Sequence, residues 1–172
     1  MRKITKKELL EILENHRHWL IEDCKGWERM RADLNNADLS DANLRGANLS
    51  DTDLRGAKNI PFIPYACPDS GSFIGFKKAN NYIVELEILP DARRCSATGR
   101  KCRCDKAKVL SITNLDGSKA DVEEIESSYD SSFIYKVGEI VEEPDFNEDR
   151  WNECSQGIHF FINRQEAVNY NY

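Results

Sequence analysis

Residues 32–57 read ADLNN ADLSD ANLRG ANLSD TDLRG A. Leucine returns at every fifth position, as Leu34, Leu39, Leu44, Leu49 and Leu54. Two residues before each leucine stands a small side chain (Ala32, Ala37, Ala42, Ala47 and Thr52), and Asp or Asn fills the place between. A helix repeats at about 3.6 residues and a strand at about 2, so neither yields this period. A solenoid with short, nearly square coils does, because one residue per side points inward and tight corners require small neighbours. Leu34, Leu39, Leu44, Leu49 and Leu54, with Ala37, Ala42 and Ala47, are therefore the expected repeat core.

The A-(D/N)-L-x-x pattern resembles the pentapeptide-repeat family. That resemblance implies a right-handed quadrilateral β-helix with about four pentapeptides to a coil. Five pentapeptides then make about one and a quarter coils, with stacked strands about 4.8 Å apart. Such a short stack cannot bury its own leucine faces and needs covering by other parts of the chain or by a second copy. Some long members of this family mimic DNA, which requires a rod with a strong negative face. Residues 28–58 carry six acids against five bases, so mimicry is not expected.

Outward from the repeat, residues 5–24 have the marks of a helix. Thr5-Lys6-Lys7-Glu8 is a capping box, and Gly26 is a natural stop. Leu9, Leu10, Ile12, Leu13, His16, Trp19 and Leu20 fall on one broad face, expected to lid the coil. His16 and His18 face different directions on a helix and do not together suggest metal. Beyond Ala57 the register breaks at Asn59-Ile60-Pro61, with a further proline at Pro64. Strands are expected at 73–76, 82–88, 108–115, within 133–141 around Gly138, and at 158–162, with a helical turn or two at 164–170. The fold class is thus α+β: an N-terminal capping helix (1–27), a pentapeptide-repeat coil (28–59) and a mostly-β or α+β C-terminal domain (60–172).

The runs SFIGFKK, ATGRKCRC, SSYDSSFIYKVGEIV and DRWNECSQGIHFFINRQEAV resemble an uncharacterised domain that follows short pentapeptide arrays in phage and prophage proteins. The resemblance implies a phage-type setting and assigns no activity to any residue.

The chain has 172 residues and a net charge of −6. No apolar run approaches the roughly 18 residues of a membrane span, and no signal-peptide core opens the chain, so a cytoplasmic location (host cytoplasm if phage-encoded) and reduced cysteines are expected. Charge is uneven: residues 91–108 hold seven Lys/Arg against two acids, and residues 115–172 fourteen acids against four bases. The overall acidity disfavours nucleic acid as a partner.

Three groups of residues could carry chemistry. The basic run includes Arg94, Arg100, Lys101 and Arg103 and could gather a phosphate around Gly99, or could offset the acidic C-terminal half. Cys102 and Cys104, with Cys154 and His159, offer ligands for zinc, although two cysteines two apart on a strand are widely spaced for one ion. Flanking arginines are expected to lower the Cys102 and Cys104 thiol pKa values. Tyr135, Trp151, Glu153 and His159, with Tyr129, Asp130 and Asn152, form an aromatic and polar set able to stack on a base or move a proton. KVGEIV and GIHFF there resemble ADP-ribosyltransferase-like domains, which implies NAD, but no ordered triad is present. Two functional classes follow. The first is a non-catalytic binding or adaptor protein with the repeat as scaffold, the C-terminal domain as recognition module, a protein partner and a homodimer through the coil. The second is a nucleotide- or NAD-binding protein or small enzyme using residues 93–108 and His159.

Overall fold

The computed structural model describes residues 2–44, 47–49 and 51–170, so Arg45, Gly46 and Ser50 of the repeat lie outside the described residues. The fold is mixed α and β, with one long helix, a short C-terminal helix and several small sheets. Two compact units share the chain. The first comprises Met1–Tyr65, Ala97–Gly99 and Asp149–Cys154; the second comprises Ala66–Ser96, Arg100–Glu148 and Ser155–Tyr172. Helix and repeat therefore belong to one unit, which extends past the expected boundary at 59 and includes two short downstream segments.

In the first unit, a two-residue strand β1 (Arg2–Lys3) precedes helix α1 (Lys6–Ile21). Thr5 caps α1 as expected: its hydroxyl accepts from the Glu8 amide, and the Glu8 carboxylate accepts from the Thr5 amide at 2.9 Å. The helix ends at Ile21, before Gly26, because Glu22 turns left-handed (φ 52). Leu9 and His16 are buried, and Ile12 and Leu13 pack on the repeat leucines. Leu10 departs from the expected face and is 68% exposed. Lying one residue on from Leu9, it is rotated about 100° around a helix axis and misses the narrow contact stripe.

The repeat places residues twenty apart side by side in parallel. Asp33 bridges Asp53, and Asp38 bridges Lys58. The Leu34, Asn36 and Leu39 amides donate to the Asp53, Arg55 and Lys58 carbonyls at 2.9 Å each. At every corner the amide of the small residue donates back to the preceding leucine carbonyl, from Ala37 to Leu34 through Ala57 to Leu54. These turn bonds explain the five-residue period: four residues close each corner and one spaces it from the next. Strand β2 (Ala37–Asp38) pairs in parallel with β1, which covers the edge left open by the first coil. Leu34, Leu39, Leu44, Leu49 and Leu54 are each at most 4% exposed, Ala37 is buried, and Ala42 and Ala47 pack beside them half-buried. Ile60, Ile63 and Trp151 complete the cluster.

The second unit contains the remaining strands. β3 (Phe73–Ala79) and β4 (Tyr82–Ile88) form a hairpin whose turn is eased by left-handed Asn80 (φ 53). Next come β5 (Arg94–Ser96), β6 (Cys102–Cys104), β7 (Lys106–Asn114), β8 (Glu124–Glu126), β9 (Ile134–Lys136), β10 (Ile140–Glu142) and β11 (Ile158–Phe160), then helix α2 (Arg164–Asn169). One sheet runs β10-β7-β4-β3, a second runs β11-β6-β5, and β8 pairs with β9. Phe76 and Phe161 exchange two backbone hydrogen bonds and so join the first two sheets. Between them lies a core of Val84, Leu86, Ile88, Val109, Tyr135, Ile158 and Phe160. Gly75 is required there, since a Cβ on it would stand 2.6 Å from the Phe160 ring.

Candidate functional site

Within the first unit the repeat does more than fill space. Its one departure from alanine is Thr52, twenty residues after Ala32. Buried His16 reaches from α1 to both positions: its Nδ1 accepts from the Ala32 amide at 3.2 Å, and its Nε2 lies 3.0 Å from the Thr52 hydroxyl. The Ala32 amide can only donate, so Nδ1 is unprotonated and Nε2 carries the hydrogen toward Thr52. Trp19 stacks on the His16 ring, with centroids 5.4 Å apart and planes 9° apart.

Trp19 thereby becomes one wall of a cleft of about 670 Å³. The repeat contributes Arg31, Ala32 and Asp33 and, twenty residues on, Asp51, Thr52, Asp53 and Arg55; the segment 151–154 contributes Trp151, Asn152, Glu153 and Cys154. Several contacts fix these side chains. Arg31 donates to the Asp51 carbonyl at 2.6 Å and lies over the Trp19 ring at 5.7 Å. Arg55 grips the Asp53 carboxylate through two bonds of 2.9 and 2.7 Å and holds that carboxyl far below the usual range. The Glu153 carboxylate accepts from the Asp51 amide at 3.3 Å, and the Cys154 thiol donates to the Asp51 carboxylate at 3.0 Å. Arg150 clamps the returning segment, donating to the Ile63 and Ala97 carbonyls while lying over the Tyr65 and Trp151 rings. Four carboxylates and two guanidiniums line the cleft, and both guanidiniums are already engaged with protein acceptors. The lining residues include two indoles, whose faces can contact a cation.

Of the residues expected from sequence, Trp151, Glu153 and Cys154 line this cleft; Tyr135, His159 and the basic run belong to the second unit. Arg94 is buried over the Phe73 ring and donates to the Ala92, Gly71 and Leu89 carbonyls. Arg103, 2% exposed, donates to the Ser155 hydroxyl at 2.6 Å and the Gln156 carbonyl at 3.0 Å. Arg100 pairs with Glu166, and Lys101 lies over the Tyr170 ring. Arg94 and Arg103 are thus held by acceptors of the interior, whereas the Arg100 side chain keeps 59% of its surface exposed beside Glu166. His159 stands opposite Arg103 in the sheet, and Tyr135 is a buried core residue. Cys102 and Cys104 are buried strand residues of the core. Their thiol pKa values are pushed up, contrary to the expected arginine effect: Cys102 by its hydrogen bond with Cys67 and by burial, Cys104 by burial. Among the described residues, the one trio of His, Cys, Asp or Glu donors placed to share an ion is His18, Asp23 and Cys24. Sequence reading missed it by weighing His18 only against His16.

Buried Lys77 on β3 was also missed. Burial lowers its amine pKa to about 8, and its ammonium lies 5.7 Å from the Tyr135 ring centre.

Comparison with known proteins matches this architecture without supplying an activity. Residues 31–58 match the pentapeptide-repeat family (8 copies). An uncharacterised protein, L223, of Acanthamoeba polyphaga mimivirus is 41% identical over 97 residues, which cover 51% of this chain and 61% of that protein. The chain thus spans less than two thirds of that relative's length. No solved structure matches. No helix among the described residues is long and apolar enough to cross a membrane. Residues 63–167, more than half of the chain, match the family of unknown function DUF5758, and the chain belongs to that family, with pentapeptide repeats preceding the matched region.

Proposed function

We propose that this is a non-catalytic binding protein whose helix-capped repeat presents a cleft to a cationic group on a protein partner. The observation that carries this reading is the cleft's composition: two indoles, and four carboxylates against two guanidiniums, an excess of two negative charges. A lysine or arginine side chain from a partner would gain ring contact and charge neutralisation together, each worth on the order of 1 kcal/mol. The ladder at twenty-residue spacing and the family match support a right-handed quadrilateral coil as the scaffold. The viral relative supports a virus-associated setting, of which a phage or prophage context in the host cytoplasm is the specific form proposed. The proposed homodimer was to cover exposed leucines; since one chain already buries all five, self-association would serve only to present two clefts.

Titration with short oligolysine and oligoglutamate peptides, followed by tryptophan fluorescence, tests the reading. A saturable response to the cationic peptide alone is expected, weakened about tenfold by Glu153→Gln or Trp151→Ala. Glu124→Gln/Glu126→Gln, in the second unit, should leave it intact. Equal weakening by all three variants would mean general attraction to an acidic protein and would overturn the cleft as the site.

A further inference from the structure

We propose a divalent-metal site at the C-terminal end of α1, formed by His18, Asp23 and Cys24 and suited to zinc. The three donor atoms lie within 4.8 Å of one another. His18 sits in the last turn of the helix, and the left-handed Glu22 folds the chain back, which brings Asp23 and Cys24 over that turn. His18 Nδ1 and Asp23 Oδ1 are 2.5 Å apart and hydrogen-bonded to each other, so both groups are already gathered at this turn.

A tetrahedral ion with bonds of about 2.0–2.3 Å sets its donors roughly 3.3–3.8 Å apart. Accommodating it requires the His18–Asp23 pair to open and the cysteine to close in, movements of about 1 Å that side-chain torsions supply. The donor set of imidazole, carboxylate and thiolate is of borderline softness, which selects zinc over calcium or magnesium.

The surroundings fit this role. The second ring nitrogen of His18 lies 3.6 Å from the Glu14 carboxylate and 3.4 Å from the Arg17 guanidinium, so a small shift would let Glu14 orient a metal-bound imidazole. Cys24 lies 3.7 Å from the Met30 sulfur, a contact that fixes the thiol, and water would take the fourth position on zinc. Arg17 touches Glu14 at 3.0 Å and approaches Asp23 at 3.7 Å. With Cys24 as thiolate, three anionic groups against Arg17 leave a local charge of about −2, which a divalent ion cancels. Binding therefore releases the Cys24 proton to solvent.

Cobalt(II) titration of the full chain under a non-thiol reductant is the test. One equivalent should produce tetrahedral visible bands and a thiolate-to-cobalt charge-transfer band, both displaced by zinc. Cys24→Ser should abolish the charge-transfer band, His18→Asn should weaken binding at least tenfold, and Cys154→Ser and Cys102→Ser should leave the spectrum unchanged. Glu14→Gln should weaken binding about tenfold. Asp23→Asn provides a second ligand variant should Cys24→Ser disturb the turn. The proposal fails if no charge-transfer band forms at saturating cobalt, or if the band survives in Cys24→Ser or is lost in Cys102→Ser with native circular dichroism.

Discussion

Replacing Lys77 by Met should stabilise the protein at neutral pH. Lys77 is 6% exposed on the inner face of β3, and its favourable contact is the Tyr135 ring at 5.7 Å. Its amine pKa falls from an ordinary 10.5 to about 8, chiefly because burial penalises the charged form. At 1.36 kcal/mol per tenfold change in proton affinity, keeping the charge inside costs roughly 3 kcal/mol. Methionine fills a similar volume without the charge but forfeits the ring contact, worth about 1 kcal/mol, so the net gain at pH 7 is about 2 kcal/mol. The sign with pH follows from proton counts. Below pH 8 folded and unfolded states both carry the charge, and the full cost stands. From pH 8 to 10.5 the folded protein sheds the proton while the unfolded chain keeps it, so stability rises with pH. Above 10.5 both are neutral and the rise ends. Urea unfolding of wild type and Lys77→Met at pH 7 and pH 10 measures this as a difference of differences, which cancels tyrosine and cysteine titration. A variant less stable than wild type at pH 7, or a gap that does not narrow by pH 10, would refute the reasoning.

Leu44→Ala should cost on the order of 2–5 kcal/mol, because Leu44 is buried among the other repeat leucines, whereas Asp41→Ala at an exposed corner should change stability by less than about 0.5 kcal/mol; thermal melts of both distinguish a packed coil from a loose one. His16→Ala strands the Ala32 amide and should cost about 1–3 kcal/mol, and the loss should be non-additive with Thr52→Val in a double-mutant cycle. The six cysteines are free, so denaturing thiol titration without reductant should find about six sulfhydryls. In the native state exposed Cys154 should react before buried Cys67, Cys95, Cys102 and Cys104; a fast Cys102 or Cys104 would contradict their burial.

Local chemistry was legible in the sequence wherever one element carried its own signal. The five-residue period identified the buried leucines, Thr5 and Glu8 capped the helix, and alternation from Tyr82 to Ile88 identified the hairpin strand. Long-range chemistry was not legible. Arg94 and Arg103 read as a charged loop because arginine is usually exposed, yet they sit on the short strands β5 and β6, where backbone carbonyls satisfy the guanidiniums in the interior. Lys77 read as the start of the hairpin loop, because its charge ended the apolar run at Phe76, yet the strand continues to Ala79 and carries it into the interior. Half of the cleft was flagged through Trp151 and Glu153. The other half was hidden inside the repeat, where Asp51 and Asp53 look like the filler that every pentapeptide carries. Thr52 is the telling position. A pattern that tolerates alanine at four corners needs no hydroxyl at the fifth, so a departure there calls for a partner outside the repeat. That partner is His16, which accepts from the Ala32 amide, meets the Thr52 hydroxyl twenty residues on and stacks on Trp19 in the cleft lining. The residue that ties the helix to the repeat is thus also the one that supports Trp19 in the lining of the cleft. His16→Ala should for that reason weaken both the fold and cation capture, whereas Leu44→Ala should weaken the fold alone.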